Sequence, residues 1–123
     1  VTIGDAAELT VSADPAFRGD PDLPNPEQLL LAAASSCQLL SFLAVAALAH
    51  VEVIGYTDSA HAVMPHDASP MRITDITLNI TVVVRGTDEH TVRELIEKAH
   101  EQCYIANTLS AVVNVNVDVE IVS

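Results

Sequence analysis

The clearest hydrophobic pattern in this chain is strict alternation. Val113, Val115, Val117, Val119 and Ile121 occupy one side of an extended segment, and Asn114, Asn116, Asp118 and Glu120 occupy the other. That period of two predicts a half-buried strand near the C-terminus. The same period runs through Ile76, Leu78, Ile80, Val82 and Val84, opposite Thr77, Asn79 and Thr81. Met71 and Ile73 are out of phase with it, which predicts a bulge near Thr74 and Asp75. A less regular strand is expected over 51–64, with Gly55 as its irregularity. Leu9, Val11 and Ala13 suggest a short strand or hairpin arm near the start.

Two segments read as helices. In "NPEQLLLAAASSCQLLSFLAVAALAH", Asn25 offers an N-cap, Pro26 suits the first helical position, Glu27 suits the positive end of the dipole, and Gln28 completes a capping box. The helix runs to about Ala49 without an internal Gly or Pro, roughly 35 Å at 1.5 Å per residue. Thr87 or Asp88 caps a second helix, expected through Ala106, with Val92, Leu95, Ile96, Ala99 and Cys103 on its apolar face. Between the first strand and the long helix, "DPAFRGDPDLPNP" holds four of the six prolines and reads as an extended loop. The order of elements predicts one α+β domain over residues 1–123, an antiparallel sheet with one exposed face packed on a long helix and a second helix. Because Val1 falls inside a strand-like pattern, the N-terminal strand is expected to be incomplete.

The long helix raises a choice, since its uncharged run is long enough to cross a bilayer. Ser35, Ser36, Gln38 and Ser41 crowd its centre and no Lys or Arg flanks it, which argues for a protein interior. A helix apolar all round must be covered all round, and one small sheet covers a single side. A homodimer that brings two such helices together supplies the remainder.

Charge narrows the partners. Five Lys and Arg against seventeen Asp and Glu give a net charge of -12, which disfavours nucleic acid and anionic membrane surfaces. Aromatics make up 3% of the chain, so the core must be aliphatic. The two cysteines match neither a secreted disulfide scaffold nor a zinc pattern. No metal or cofactor motif is visible, and a reducing, cytoplasmic location is expected.

Cys37 is the main chemical question. Its position allows either a small buried hydrophobe or a reactive thiol, and the polar neighbours Ser35, Ser36 and Gln38 suggest a pocket with hydrogen-bonding capacity. Cys37 lies too far into its helix for that helix's dipole to activate it, so a cation is expected, and Arg18 is the nearest in sequence. Glu27 lies ten residues before Cys37, about 15 Å along the axis, and cannot touch it within one chain. Glu27 serves either as a first-turn acid or in a site completed by a second chain. Asn107 is read as capping the end of the second helix.

"NPEQLLLAAASSC" and "CYIANTLSAVVNVNVDVEI" resemble two motifs of the OsmC/Ohr family, which includes thiol-dependent organic hydroperoxide reductases. The resemblance covers about residues 14–123 and implies an intertwined homodimer with active sites at the interface. It implies Cys37 as the peroxidatic thiol, Cys103 as the resolving thiol, and Glu27 paired with an arginine that polarises the thiol, a role open to Arg18. The implied substrate is a small organic hydroperoxide, and the implied reductant a dithiol. The alternative is a non-catalytic dimer of the same fold that binds a small apolar ligand at the subunit interface.

Overall fold

The computed structural model describes residues 1–123. Strands β1 (Thr2–Ile3) and β2 (Ala7–Glu8) form a small hairpin, followed by a 3-10 turn at Pro15–Phe17. Then come α1 (Pro26–Leu48), β3 (Glu52–Val63), β4 (Asp75–Arg85), α2 (Glu89–Glu101), α3 (Tyr104–Thr108) and β5 (Val112–Val122). The expected start of α1 is realised in full. The Asn25 side chain accepts the Gln28 N–H at 2.8 Å, and the Gln28 side chain accepts the Asn25 N–H at 3.0 Å. Asp88 caps α2 by accepting the Thr91 N–H at 2.8 Å.

The main sheet has the order β3-β4-β5. The α+β class holds, but the sheet is mixed and not wholly antiparallel: β3 and β4 are antiparallel, whereas β4 and β5 are parallel. The chain leaves β4 at Arg85 and returns through α2 and α3 to the end where β4 began, so Asp75 faces Val112. Parallel neighbours require such a crossover. An alternating pattern reports which face a residue occupies, and it carries no information about strand direction.

Three further expectations are corrected. The irregularity expected at Gly55 is present, as a register shift at Val53/Gly55 in β3, but the bulge expected near Thr74 and Asp75 is absent. Thr74 continues the ladder, bonding the Val63 and Val112 backbones at 3.0 and 2.9 Å, while Met71 and Ile73 belong to the preceding loop. Val11 and Ala13 lie outside any strand, their stretch tied to the proline-rich loop by Ser12 N–H to Pro24 C=O at 3.0 Å, whereas Leu9 closes the β1–β2 hairpin through two backbone bonds with Val1, each 2.8 Å. The helix expected to reach Ala106 breaks at Gln102 and Cys103, and α3 starts afresh.

Every second residue of β4 (Ile76, Leu78, Ile80, Val82, Val84) is buried, against α1 on one side of the sheet and with Val92, Ile96 and Ala99 of α2 completing the core. The opposite face is polar, and Asn79 and Asn116 bond across it at 3.1 Å. Helix α1 buries Ala34, Gln38, Phe42, Val45 and Ala46. Its other side is open within one chain: Leu40 is 65% and Leu48 79% exposed.

Candidate functional site

The break between α2 and α3 sets the geometry of the two thiols. Cys103 occupies the N-cap of α3 with extended backbone (φ -72, ψ 109) and is buried. Asn107, one turn into α3, donates from its side chain to the Glu101 carbonyl at 3.1 Å, so it caps the end of α2 as expected, from within the next helix. The turn carries the Cys103 thiol and the first amides of α3 against Cys37, midway along α1. Both cysteines are free thiols.

Cys37 sits in a cavity of about 540 Å³ lined also by Ala33, Ser36, Leu40, Ser41, Ala44, Gln102, Tyr104 and Ile105. Burial alone pushes its pKa up, but the Ile105 N–H, the Cys103 thiol and the Tyr104 N–H outweigh it and hold the thiol below its ordinary range. Cys103 is shifted the other way. Burial raises it, and the neighbouring Cys37 adds to that shift, against partial relief from the Ala106 N–H. The pair therefore ionises in a fixed order: Cys37 becomes the thiolate while Cys103 keeps its proton and donates toward it. A thiolate beside a protonated second thiol is the arrangement that nucleophilic attack followed by disulfide closure requires.

The expected need for a cation is thus met in part by backbone amides. The dipole of α1 cannot reach Cys37, as reasoned, but the first amides of α3 do. Sequence reading missed Tyr104 and Ile105 because no Gly or Pro marks the break; "HEQCYIANT" reads as uninterrupted helix. The expected polar pocket also resolves differently. Ser35 donates to Asp58 Oδ2 at 2.6 Å, Ser36 bonds its own helix at Ala32 C=O, and Gln38 donates to the Ile96 carbonyl at 3.3 Å. Only Ser36 of the three lines the thiol cavity.

The other two expected residues are not brought to the thiols within one chain. Arg18 is exposed at the end of the 3-10 turn, with φ 67, and its guanidinium forms no hydrogen bond or ion pair. Glu27 lies at the far end of α1, in a separate cavity of about 370 Å³ with Arg72, Leu30, Met64 and Met71.

Between α1 and β3 lies a group of half-buried polar side chains. Tyr56 and Asp58 point from the same face of β3. Tyr56 packs on Phe42 with ring centroids 5.7 Å apart, and Asp58 accepts from Ser35. The Tyr56 hydroxyl, Asp58 Oδ1 and Gln38 Oε1 are buried without hydrogen-bond partners. Burial, then the charges of Asp58 and Cys103, push the Tyr56 phenol well above its ordinary value.

Comparison with known proteins agrees with this architecture. The family described as OsmC-like protein matches residues 19–118. An OsmC-like protein of unknown function from Vibrio cholerae shares 28% identity, with a TM-score of 0.84 over 91% of this chain and 78% of that one. An OsmC-like protein from Mycoplasma pneumoniae matches at 19% identity and a TM-score of 0.82, over 96% of this chain and 86% of that one. An organic hydroperoxide resistance protein from Elizabethkingia anophelis matches at 23% identity and a TM-score of 0.74, over 95% and 83% of the two chains. No functionally curated protein matches the chain. With the motifs, the fold and the family match in agreement over most of its length, this chain belongs to the OsmC-like family.

Proposed function

We propose that this protein is a thiol-dependent peroxidase that reduces organic hydroperoxides. The observation that carries the reading is the unequal thiol pair: Cys37 lowered and facing a largely apolar cavity, Cys103 raised and buried behind it. The Cys37 thiolate attacks the terminal peroxide oxygen, the O–O bond breaks to leave a sulfenic acid on Cys37, and the released alkoxide takes a proton from solvent in the cavity and departs as an alcohol. Cys103 then attacks that sulfur, water leaves, and a disulfide forms, which an external dithiol reduces back to two thiols. The apolar lining, Leu40 and Ile105 among it, favours an alkyl peroxide over hydrogen peroxide. Matches to organic hydroperoxide resistance proteins support the same reading.

The active unit in this proposal is a homodimer. A second copy covers the exposed side of α1, and Arg18 and Glu27 act in the site across the interface, since neither reaches the thiols of its own chain. A reducing compartment keeps both thiols free.

The test is consumption of an alkyl hydroperoxide driven by a dithiol. Cys37→Ser abolishes turnover, and Cys103→Ser leaves a single-turnover burst followed by over-oxidation of Cys37. Undiminished turnover by Cys37→Ser overturns the proposal. A non-catalytic binding role for the apolar cavity predicts instead that Cys37 alkylates no faster than an ordinary thiol.

A further inference from the structure

Helix α2 ends without a glycine or proline, and the partners of its last carbonyls show what ends it. In a continuing helix the Ala99 carbonyl would accept the Cys103 N–H. Here the Cys103 N–H bonds the His100 carbonyl at 3.2 Å, and the Ala99 carbonyl accepts the hydroxyl of Ser41, on α1, at 2.8 Å. The neighbouring carbonyls are also taken. Lys98 accepts the Gln102 N–H at 3.2 Å, and Glu101 accepts the Asn107 side chain at 3.1 Å. Ala99 is fully buried, and a buried carbonyl is seldom left without a partner. The helix can therefore stop here because a side chain from α1 takes the oxygen that stopping exposes.

A serine in a helix readily turns its hydroxyl back onto its own chain, as Ser36 does by bonding the Ala32 carbonyl at 2.7 Å. Ser41 reaches across to α2 instead. It lies one helical turn beyond Cys37, and both line the same cavity, whose wall also includes Gln102, Tyr104 and Ile105. Those three residues flank Cys103, so the point at which α2 stops decides where they sit. Gln38 donates to the Ile96 carbonyl at 3.3 Å, one turn earlier along α2, and fixes the same register between the two helices. If α2 ran on, the Tyr104 and Ile105 N–H groups would be spent on the His100 and Glu101 carbonyls of their own helix. Neither would then be free for Cys37.

We propose that Ser41 is a positioning residue for both thiols: by holding the Ala99 carbonyl it stops α2 at Gln102, leaves the Tyr104 and Ile105 amides free to face Cys37, and turns Cys103 toward it. Ser41 acts through the backbone of α2 and α3 and takes no part in making or breaking bonds to sulfur. The break that no residue in "HEQCYIANT" announces is thus set from another helix. The proposal rests on the reading above in that Cys103 closes onto Cys37, but it does not require a peroxide as substrate.

An aromatic disulfide that releases a coloured thiolate follows both thiols without any peroxide. The Cys37 thiolate attacks it and the first aromatic thiolate leaves; Cys103 then attacks the Cys37 sulfur and the second leaves. Ser41→Ala removes the bond to Ala99 and keeps α1, because alanine suits a helix interior. The second release should slow about two- to tenfold, the range spanned by the net contribution of one hydrogen bond. The first should slow below the Cys37 midpoint and recover at high pH, where the thiol is ionised without help. Adding Tyr104→Pro restores the break by other means, since proline there holds Cys103 extended and cannot continue α2. In Ser41→Ala/Tyr104→Pro the second release should return to the rate of Tyr104→Pro alone. A second release at the native rate in Ser41→Ala overturns the proposal. So does slowing that Tyr104→Pro fails to reverse, which would mark a general loss of packing. A native protein with no second release overturns the thiol-pair reading itself, and failure to consume hydroperoxide bears on the peroxidase reading alone.

Discussion

Replacing Tyr104 by proline deletes one backbone N–H at the site and little else. Tyr104 is the first helical residue of α3, where proline is accommodated, and Cys103 before it already has the extended backbone that a following proline requires. The Tyr104 amide is one of three groups that favour the Cys37 thiolate, after the Ile105 amide and the Cys103 thiol. A hydrogen bond to a charged group contributes roughly 1.5–3 kcal/mol when buried. Cys37 is only partly buried and water replaces part of the lost bond, so about 1 kcal/mol is expected, or about fivefold in thiolate population. Tyr104 is 81% exposed and lines the cavity, so Tyr104→Ala is the control for loss of its side chain. Site-resolved alkylation of Cys37 against pH should show Tyr104→Pro about fivefold slower than Tyr104→Ala below the midpoint, with the two converging once the thiol is fully ionised. Superimposable profiles would refute the idea that α3 amides activate this cysteine and would return the task to a cation.

Two further outcomes follow from the same geometry. Cys103 and Tyr56 stay neutral in the fold to higher pH than in the unfolded chain, so their contribution to stability is intact below their ordinary pKa values and is lost as pH rises above them. Denaturant midpoints should fall above about pH 10, the ordinary range of tyrosine, and fall less steeply in Tyr56→Phe; identical slopes would show that the phenol is not held neutral. Leu40→Glu places a charge on the exposed side of α1, and the native dimer expected in sedimentation should become a monomer. A variant that stays dimeric would place the interface elsewhere.

Much of the fold was legible because its signals are local and redundant. The capping box at Asn25 and Gln28, the alternation through β4 and β5, and the helical spacing of Val92, Ile96 and Ala99 each depend on neighbours a few residues apart. Strand direction was not legible, since a parallel and an antiparallel β5 bury the same valines. Of the site, the two thiols and their expected order of action came from the motifs' resemblance, and the α3 amides that lower Cys37 were not legible. The break at Gln102–Cys103 is set by tertiary packing: Cys103 is buried, and Asn107 closes the end of α2, with no glycine or proline to announce it. Asp58 and Tyr56 were hidden for a similar reason. On a half-buried strand they look like ordinary alternation, and only their placement against Ser35 and Phe42 sets them apart.

The parallel pairing of β4 with β5 also bears on how the protein comes into being. Asp75 and Val112 are opposite each other but 37 positions apart, whereas Val63 and Asp75, which close the β3–β4 pair, are 12 apart and can meet earlier. Cys103 lies inside the crossover that must be laid down before β5 can dock. The two thiols, 66 positions apart, therefore meet only when that crossover has closed back onto α1, after the loop-closure entropy of the intervening chain has been overcome. Until that closure the cysteines are held on separate segments, and the thiol pair arises with the packing of the crossover on α1.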